Sequence, residues 1–436
     1  MQFYSTNNKQ SFVSFREAVF NSLPKDGGLY MPKSIPQLDE DFLKNIDKYT
    51  FPEIAFEVAK NIIGDDIPSN DLKRIIDETV NFDAPLVRLK DGSYILELFH
   101  GPSLAFKDFG ARFMSRIMAY FSEKSDLVLD VLVATSGDTG GAVALGFAGV
   151  PNTRVTILFP KGKVSTIQEL QLCTNDSNIQ AIEIDGTFDD CQALVKEAFN
   201  DDELNKKLNL TSANSINISR LIPQSFYYFY AYSQLLKQDI KDIVFSVPSG
   251  NFGNLTAGLL AAKMGLPVKH FIAATNANDI VPRFLKGENY ESRPAIATIA
   301  NAMDVGNPSN WNRIMDLFNQ DIDRLKNKLT AYAFTDEQTK EAIAEVYQEG
   351  QYIVCPHTAI AWLASQTYRY EHMGNYTLVS LSTAHACKFP DVFPKEIAKN
   401  IQVPESVNSL VDRPQNKIIL SADFHKFKSF LLDYSK

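Results

Sequence analysis

DIVFSVPSGNFGNLTAGLLAAKMG (residues 242–265) is the stretch that decides the predicted fold. Its first eight residues form a β-rich run, SGNFGN (249–254) is a glycine-containing loop, and LTAGLLAAKMG (255–265) has the pattern of a helix. A strand that passes through a short loop into a helix is the repeating unit of α/β proteins. The stretch therefore predicts a βα unit inside a larger α/β fold.

Similar β-rich runs recur on both sides of this unit. They are YILELF (94–99), DVLVATS (130–136), RVTILFP (154–160), NIQAIEI (178–184), KHFIAAT (269–275) and YTLVSLS (376–382). Longer helical patterns separate several of them, which predicts mainly parallel sheets with helices on both faces. Residues 1–85 differ, since they read as mostly helical segments broken by turns.

The bulk composition narrows the class of protein. The 436 residues are 45% hydrophobic and 22% charged, which leaves room for two or three globular domains. The net charge of −9 argues against nucleic acid or an anionic membrane as a partner. MQFYSTNNKQ at the N-terminus lacks a signal-peptide layout, and the nearly uncharged GGAVALGFAGV (140–150) is too short to span a bilayer. We therefore expect a soluble cytoplasmic protein.

The cysteines and histidines indicate neither a disulfide framework nor a metal site. The four cysteines are far apart and form no CxxC pair, and the six histidines form no HExxH pattern. Unpaired cysteines fit a reducing compartment. We expect no metal ion.

The loop SGNFGN has the form of a phosphate cradle. Gly250 and Gly253 can adopt positive φ and allow close backbone approach, while the free N–H groups and the helix dipole supply partial positive charge without a lysine. A tight βα turn without a ligand is the alternative, and spacing alone leaves both open. The loop matches neither GxGxxG nor GxxxxGK[ST], which weakens dinucleotide and P-loop nucleotide binding.

Lys107 stands at a predicted strand-to-helix junction in ELFHGPSLAFKDFGAR (97–112). The following residues 108–124 carry an apolar stripe at helical spacing, namely Phe109, Phe113, Ile117 and Phe121. Partial burial and the positive end of a helix dipole would lower the pKa of the Lys107 amine, and a neutral amine is what Schiff-base chemistry needs. A surface lysine beside Asp108 is the alternative, and in one local window it is the commoner case.

The motifs together resemble the threonine synthases. ELFHGPSLAFKDFG is similar to the cofactor-lysine motif of that family, and SVPSGNFGNLTAG is similar to its loop for the cofactor phosphate. Further similar segments follow the family's order: DGGLYMP (26–32), ATSGDTGGA (134–142), SANSINISRL (212–221), FIAATNANDIVPRF (271–284), NAMDVGNPSNW (301–311) and STAHACKFP (382–390). The resemblance covers nearly the whole chain and is closest to the branch with a long N-terminal region.

The resemblance implies a fold and a domain plan. Threonine synthases belong to the tryptophan-synthase-β-like group of pyridoxal-phosphate enzymes (fold type II), which have two α/β domains with the cofactor in the cleft between them. We expect a mostly helical N-terminal domain at 1–85, a large cofactor-binding domain at 86–115 and 216–436, and a small domain at 116–215.

The resemblance also assigns the cofactor site. Lys107 should bond covalently to pyridoxal 5'-phosphate and later move protons as base and acid. The cofactor phosphate should rest on Gly250, Asn251, Phe252, Gly253 and Asn254. Thr383 matches the hydroxyl that faces the pyridine nitrogen, although a strand-end hydroxyl that bonds local backbone would look the same.

Two substrate sites follow from the same resemblance. The substrate carboxylate should meet the loop and helix start formed by Ser136, Gly137, Asp138, Thr139 and Gly140. Relatives in the wider group usually have Asn at the Asp138 position, and an acid there would repel a carboxylate unless it were protonated or turned away; a helix N-cap is the alternative role. Candidates for the substrate phosphate are Arg112, Lys163, Ser215, Asn217 and Arg220, any of which could instead be structural.

Two departures from the family pattern affect histidines. Ala386-Cys387 replaces a usual Pro-Ala after the His of the TAH segment, and Cys355 replaces a usual acidic residue before PHTA. Neither removes a residue to which chemistry is assigned. They leave the roles of His357 and His385 open, so neither is predicted to be catalytic.

The implied reaction converts O-phospho-L-homoserine and water to L-threonine and phosphate by γ-elimination and β-addition, in a monomer or small homo-oligomer. The nearest rival is a pyridoxal-phosphate-dependent lyase or dehydratase acting on a hydroxy or phosphorylated amino acid. Convergence of Arg112, Lys163 and Arg220 beside the cofactor would favour phosphohomoserine, whereas a small apolar pocket there would favour a dehydratase. A non-catalytic binding protein on the same fold and a nucleotide-binding regulator are rivals from other classes, and the sequence has no signature of a base pocket.

Overall fold

The computed structural model describes residues 1–124, 127–175 and 177–434. Its strands, in chain order, are β1 (Gln2–Ser5), β2 (Asn8–Ser14), β3 (Tyr30–Pro32), β4 (Leu86–Arg88), β5 (Tyr94–Glu97), β6 (Leu129–Ala134), β7 (Thr153–Pro160), β8 (Ile179–Asp185), β9 (Leu210–Ser212), β10 (Ile243–Pro248), β11 (Val268–Thr275), β12 (Leu329–Ala333), β13 (Thr377–Ser382) and β14 (Lys417–Ser421).

The α-helices alternate with these strands along most of the chain. They are α1 (Phe15–Asn21), α2 (Glu40–Lys44), α3 (Phe51–Ile63), α4 (Ser69–Thr79), α5 (Lys107–Glu123), α6 (Asp138–Phe147), α7 (Thr166–Cys173), α8 (Phe188–Asn200), α9 (Asp202–Lys207), α10 (Ile218–Leu221), α11 (Phe226–Leu236), α12 (Gly253–Lys263), α13 (Ile280–Leu285), α14 (Trp311–Leu317), α15 (Ile322–Lys326), α16 (Asp336–Gly350), α17 (Pro356–Glu371), α18 (Lys395–Ala398), α19 (Glu405–Val411) and α20 (Phe424–Tyr434). No helix of the described residues is both long enough and apolar enough to cross a membrane.

The larger sheet is built around β10, the strand of the deciding stretch. Its order is β12-β11-β10-β13-β5-β4, and β10 pairs in parallel with β11 on one side and β13 on the other. Only the short β4 at the edge runs antiparallel to its neighbour. All six residues of β10 are buried, as expected for a central strand with helices on both faces. The predicted strand, loop and helix of residues 242–265 are confirmed.

The second sheet is parallel throughout and has the order β14-β8-β7-β6-β9. Its edge strand β14 comes from the C-terminal part of the chain, although the sequence prediction placed all of 216–436 with the other α/β domain. The physical reason is that β14 and α20 cover β8: Phe427 and Leu431 pack with Ile182 and Ile184 in one apolar cluster. The other predicted domain boundaries stay predictions.

The N-terminal segment is helical as predicted, but it begins with strands that the sequence did not reveal. β1 pairs in antiparallel fashion with β2 and with β3. The β2 strand is almost entirely exposed, so it lacks the alternation of buried and exposed residues that marks most strands. The α/β class is confirmed, with two mainly parallel sheets and a mostly helical N-terminal segment that carries this small sheet.

Helix α5 is the element that the apolar stripe predicted. It starts at Lys107, and Phe109, Phe113 and Ile117 on the stripe are fully buried. The helix packs against α6 of the second sheet, against α4 of the N-terminal segment and against α10. The helix that begins with Lys107 is thereby held on several sides.

The C-terminal cover of β8 gives a stability prediction. Phe427→Ala should lower the free energy of unfolding by about 3–5 kcal/mol, because the Phe427 ring is fully buried between α20 and β8 and its loss leaves a cavity. Tyr370→Ala removes an aromatic ring that is 90% exposed and should change stability by less than about 0.5 kcal/mol. Urea denaturation followed by circular dichroism measures both, and equal effects would contradict the packing of α20.

Candidate active site

A cavity lies at the carboxyl ends of the parallel strands, where the two large sheets face each other. Its lining includes the loop after β10, the loop after β6, Lys107 at the start of α5, and Thr383 just after β13. In open α/β sheets, ligands bind in such crevices beyond the strand ends. The fold therefore brings together groups that are far apart in sequence.

The glycine loop keeps its backbone donors free. The N–H groups of residues 250–254 donate to no described acceptor, and they surround the start of α12. A side chain on Gly250 would place its Cβ only 2.7 Å from the Met303 Cα, so close approach requires glycine there. Neither Gly250 nor Gly253 has a positive φ; Phe252 does, at 60°. The loop thus offers the predicted anion cradle, but its left-handed turn is at Phe252.

The amide side chains of the loop are used to fix it in place. Asn251 Nδ2 donates to Ser215 Oγ at 2.8 Å, and Asn251 Oδ1 accepts from the Ser309 N–H at 2.6 Å. Asn254 Nδ2 donates to the Pro248 carbonyl at 2.8 Å. Since these side chains already have partners, an anion in the cradle would meet backbone N–H groups.

Lys107 faces the same cavity. Its Nζ donates to Thr139 Oγ1 at 2.8 Å. Burial lowers the pKa of the Lys107 amine to about 8, and Arg220 and Lys388 add to this effect while Asp138 opposes it. The expected lowering of its pKa is confirmed, and the alternative of a lysine on the outer surface is wrong.

Asp138 is neither protonated nor turned away, because a buried lysine neutralises it. Lys388 Nζ lies 2.7 Å from Asp138 Oδ1, and both side chains are almost fully buried. Gln168 Nε2 donates to the same oxygen at 3.0 Å. Burial by itself would raise the pKa of Asp138, but Lys388 and Lys107 outweigh it and lower the pKa to about 2. The alternative role of Asp138 as a helix N-cap is wrong, since Gly137 occupies that position.

Thr135, to which the sequence analysis assigned no role, uses its hydroxyl to occupy two backbone donors of the loop after β6. Thr135 Oγ1 accepts from the N–H groups of Gly137 and Gly140, at 2.9 and 2.8 Å. Those two glycines do not line the cavity. Of the five residues predicted to hold the substrate carboxylate, the cavity wall therefore contains Ser136, Asp138 and Thr139.

Three of the five residues predicted for the substrate phosphate do not line the cavity. Arg112 donates to the Thr79 and Glu78 carbonyls of the N-terminal segment. Asn217 is buried and donates to the Val19 carbonyl. Lys163 is exposed on the turn after β7. These positions correct the prediction, because Arg112 and Asn217 are hydrogen-bonded to the N-terminal segment and Lys163 is exposed outside the cavity lining.

Arg220 and Ser215 do line the cavity. Arg220 is buried, its Nη1 donates to the Ala213 carbonyl at 2.7 Å, and its Nε has no hydrogen-bond partner. Burial lowers the pKa of Arg220 to about 10, with Asp108 acting in the opposite direction, so the guanidinium stays charged. The Nε group is packed against Gly110 of α5, so an anion in the cavity would meet the charge of the guanidinium rather than this N–H.

Several lining residues come from a long irregular segment between α13 and α14 that sequence reasoning left without a role. Arg293, Asn301, Asp304 and Asn307 are among them. The quoted motif NAMDVGNPSNW contains the last three, but no periodicity marks which of its side chains face a ligand. Arg293 precedes it, on an exposed loop whose shape the sequence does not indicate.

Thr383 and the two histidines have distinct positions. Thr383 lines the cavity, and its hydroxyl has no described partner, so it does not serve local backbone. His357 also lines the cavity; burial lowers its pKa to about 4, and its Nε2 accepts from the Ala302 N–H at 3.2 Å. His385 lies outside the lining, and its Nδ1 accepts from the Cys387 N–H. The described residues contain no group of three or more metal-binding side chains.

The chain matches three family models that together cover most of its length. The model described as pyridoxal-phosphate dependent enzyme matches residues 79–383. The model for the threonine synthase N terminus matches residues 2–80, and the threonine synthase C-terminal model matches residues 358–431.

Curated and solved relatives agree with these matches. A threonine synthase from Serratia marcescens is 43% identical over 432 residues, covering 99% of each chain. The crystal structure of threonine synthase from Escherichia coli superposes with a TM-score of 0.91 at 42% identity and covers 100% of both chains. A threonine synthase from Brucella melitensis, solved with pyridoxal phosphate bound, gives a TM-score of 0.91 at 33% identity with the same coverage.

The Lys388–Asp138 pair can be tested by a double-mutant cycle. Asp138→Asn and Lys388→Met should each lower stability by about 3–5 kcal/mol, because each leaves one buried charge without its partner. The double variant should recover most of that loss, since it buries no charge. Urea denaturation of the four proteins measures the coupling; strictly additive losses would contradict an ion pair.

Proposed function

Since the chain belongs to the threonine synthase family of pyridoxal-phosphate-dependent enzymes, we propose that it converts O-phospho-L-homoserine and water to L-threonine and phosphate. It is an enzyme of the lyase class. The observation that carries the proposal is that the Lys107 amine and the free N–H groups of residues 250–254 face one cavity. An amine with a pKa of about 8 and an anion cradle are the two features that the cofactor requires.

The lining fits pyridoxal phosphate. The cradle of residues 250–254 would hold the phosphate, Lys107 would bond to the aldehyde carbon, and the unused hydroxyl of Thr383 would face the ring nitrogen. When bound, the cofactor supplies an electron sink that stabilises negative charge on the substrate carbons. The rest of the chemistry depends on how the protein places the substrate and moves its protons.

The substrate needs one site for its carboxylate and another for its phosphate. We place the carboxylate at Ser136 and Thr139, where the start of α6 contributes partial positive charge. The ion pair with Lys388 makes this compatible with Asp138, since the pair carries no net charge toward the substrate. Arg220 and Ser215, which also line the cavity, are our candidates for the substrate phosphate.

Lys107 is the group that we propose to move protons. As a neutral amine it can take the proton from the substrate α-carbon and return it later, and its pKa of about 8 keeps both forms accessible near neutral pH. The hydrogen bond to Thr139 Oγ1 orients the amine toward the carboxylate end of the substrate. Preorganised donors around both anions limit the reorganisation that each step requires.

The nearest alternative remains a lyase or dehydratase on the same scaffold. We expected Arg112, Lys163 and Arg220 to converge beside the cofactor if the substrate carries a second phosphate. Of these three residues, Arg220 lines the cavity and the other two do not. Arg293 adds a second cation at its wall, which supports a phosphorylated substrate. We further propose a cytoplasmic monomer or small homo-oligomer, since all four cysteines are buried and unpaired.

The substrate proposal predicts a specific set of products and variant effects. The purified protein should release phosphate and threonine in equal amounts from O-phosphohomoserine. Arg220→Met should lower kcat/KM about 10- to 100-fold, because the positive charge at the cavity wall that would face the phosphate is lost. Lys163→Ala is the matched control and should have no effect, since Lys163 lies outside the cavity. Phosphate and a keto acid as products would instead show the dehydratase.

The lowered pKa of Lys107 predicts how the apo-protein takes up its cofactor. The rate of covalent attachment, followed by absorbance, should rise about tenfold per pH unit below pH 8 and level off above it, because only the neutral amine reacts. Nα-acetyl-lysine with the same aldehyde is the control, and its rate should keep rising beyond pH 10. A protein rate that rises in parallel with the control would contradict the lowered pKa.

A further inference from the structure

Arg313 is a fully buried cation whose hydrogen bonds all go to neutral acceptors. It lies on α14 and has no exposed surface. Its Nε donates to the Tyr30 carbonyl at 3.2 Å, its Nη1 to the Ser215 carbonyl at 3.1 Å and to Asn310 Oδ1 at 2.8 Å, and its Nη2 to the Ile216 carbonyl at 2.6 Å. The guanidinium is therefore well held, but no anion among these contacts balances its charge.

A buried charge is costly unless another charge compensates it. Asp316, three residues along the same helix, is already bound by Lys9 at 2.5 Å and by the Tyr4 hydroxyl. Arg220, the other buried arginine near the cavity, has Asp108 as an opposing charge. Burial alone shifts the pKa of Arg313, to about 9, and no described carboxylate acts against that shift. The missing counter-charge must come from elsewhere.

One side chain separates Arg313 from the phosphate cradle. Asn310 accepts from Arg313 through Oδ1, and its Nδ2 donates to the Asn251 carbonyl at 3.0 Å and to Ser215 Oγ at 3.3 Å. A Cβ built on Gly253 would lie 3.5 Å from Asn310 Nδ2. The guanidinium thus stands directly behind the loop, in a region without solvent, where charges act over longer distances than in water.

We propose that Arg313 is a positioning residue whose positive charge, acting through Asn310, balances the cofactor phosphate held by residues 250–254. The loop itself contains no lysine or arginine. Its backbone donors supply only partial charges, so a second negative charge on the phosphate calls for a full cation nearby. Arg313 supplies it without entering the cavity, where a cation would compete for the substrate. The inference depends on the cofactor and not on the identity of the substrate.

Other charged groups also face the cavity, and their charges act on the bound phosphate as well. The cations are Lys107, Arg220 and Arg293, the acids are Asp138, Asp189 and Asp304, and His357 is the neutral base. None of them takes part in the hydrogen-bond chain from Arg313 through Asn310 to the loop. Removal of Arg313 should therefore change the ionisation of the phosphate while leaving these groups in place.

Phosphorus-31 NMR of the holoenzyme, without substrate, measures that ionisation directly. The signal of the bound phosphate should not change between pH 5.5 and 9 in the unmodified protein, because the phosphate stays doubly ionised, whereas a free phosphomonoester titrates near pH 6. In Arg313→Gln the signal should titrate inside this range, and the Kd for pyridoxal phosphate should rise at least tenfold. Arg313→Lys keeps the charge and should restore the pH-independent signal.

Two further variants change a charge next to Arg313 and a charge far from the cavity. Asn310→Asp should also make the phosphate titrate, since its carboxylate neutralises Arg313 at almost the same side-chain size and removes the Nδ2 donations to Asn251 and Ser215. This variant serves if Arg313→Gln fails to fold. Arg324→Gln removes an exposed cation from α15 and should change nothing. A titration-free signal in both Arg313→Gln and Asn310→Asp, with a Kd within twofold of the unmodified protein, would overturn the proposal and leave Arg313 a purely structural role.

Discussion

The buried ion pair of Lys388 and Asp138 is the interaction on which the cleft depends. Asp138 begins the helix after β6 in one sheet, and Lys388 lies shortly after β13 in the other, so the pair joins the two sheets at their carboxyl ends. Lys388 Nζ also donates to the Ser103 carbonyl, four residues before Lys107. The same pair thus fixes the approach of the sheets and the path of the chain into the reactive lysine. Neither charge is tolerable alone in this environment, which makes the geometry cooperative.

The N-terminal segment supports the cleft by accepting hydrogen bonds from side chains that lie behind its wall. Arg112 donates to carbonyls at the end of α4, Asn217 donates to the Val19 carbonyl, and Arg313 donates to the Tyr30 carbonyl. Each of these side chains comes from the part of the chain that builds the cleft. The backbone carbonyls of the N-terminal segment therefore hold the outer side of the cleft wall, while Arg220 lines the cavity itself.

Local patterns predicted the local parts of this structure. The strand that leads into SGNFGN and the apolar stripe that begins after Lys107 are each a single uninterrupted segment. Each could be recognised because the pattern of a strand, loop or helix is complete within about twenty residues. Lys388 and Arg313 left no such mark, since the groups that explain them lie 250 and about 100 residues away along the chain. β14 was not predicted for a related reason, since a mostly exposed edge strand lacks the alternation of buried and exposed residues that identifies a strand. The sequence therefore predicted the reactive amine and the anion cradle, but it did not predict the buried charges of Lys388 and Arg313 next to them.

Charge placement explains how a protein with a net charge of −9 can bind anions. Three of the charges at the cavity are buried and held in place, namely Arg220 at the wall and Lys388 against Asp138. Net charge acts through solvent and is screened within about 10 Å, whereas these groups act across a few ångströms of protein. A protein with a negative net charge can therefore still have local positive charges that bind anions in its cavity. The same reasoning explains the lowered pKa of Lys107: burial and its cationic neighbours favour the neutral amine, and the nearby acid is too strongly paired to reverse that effect.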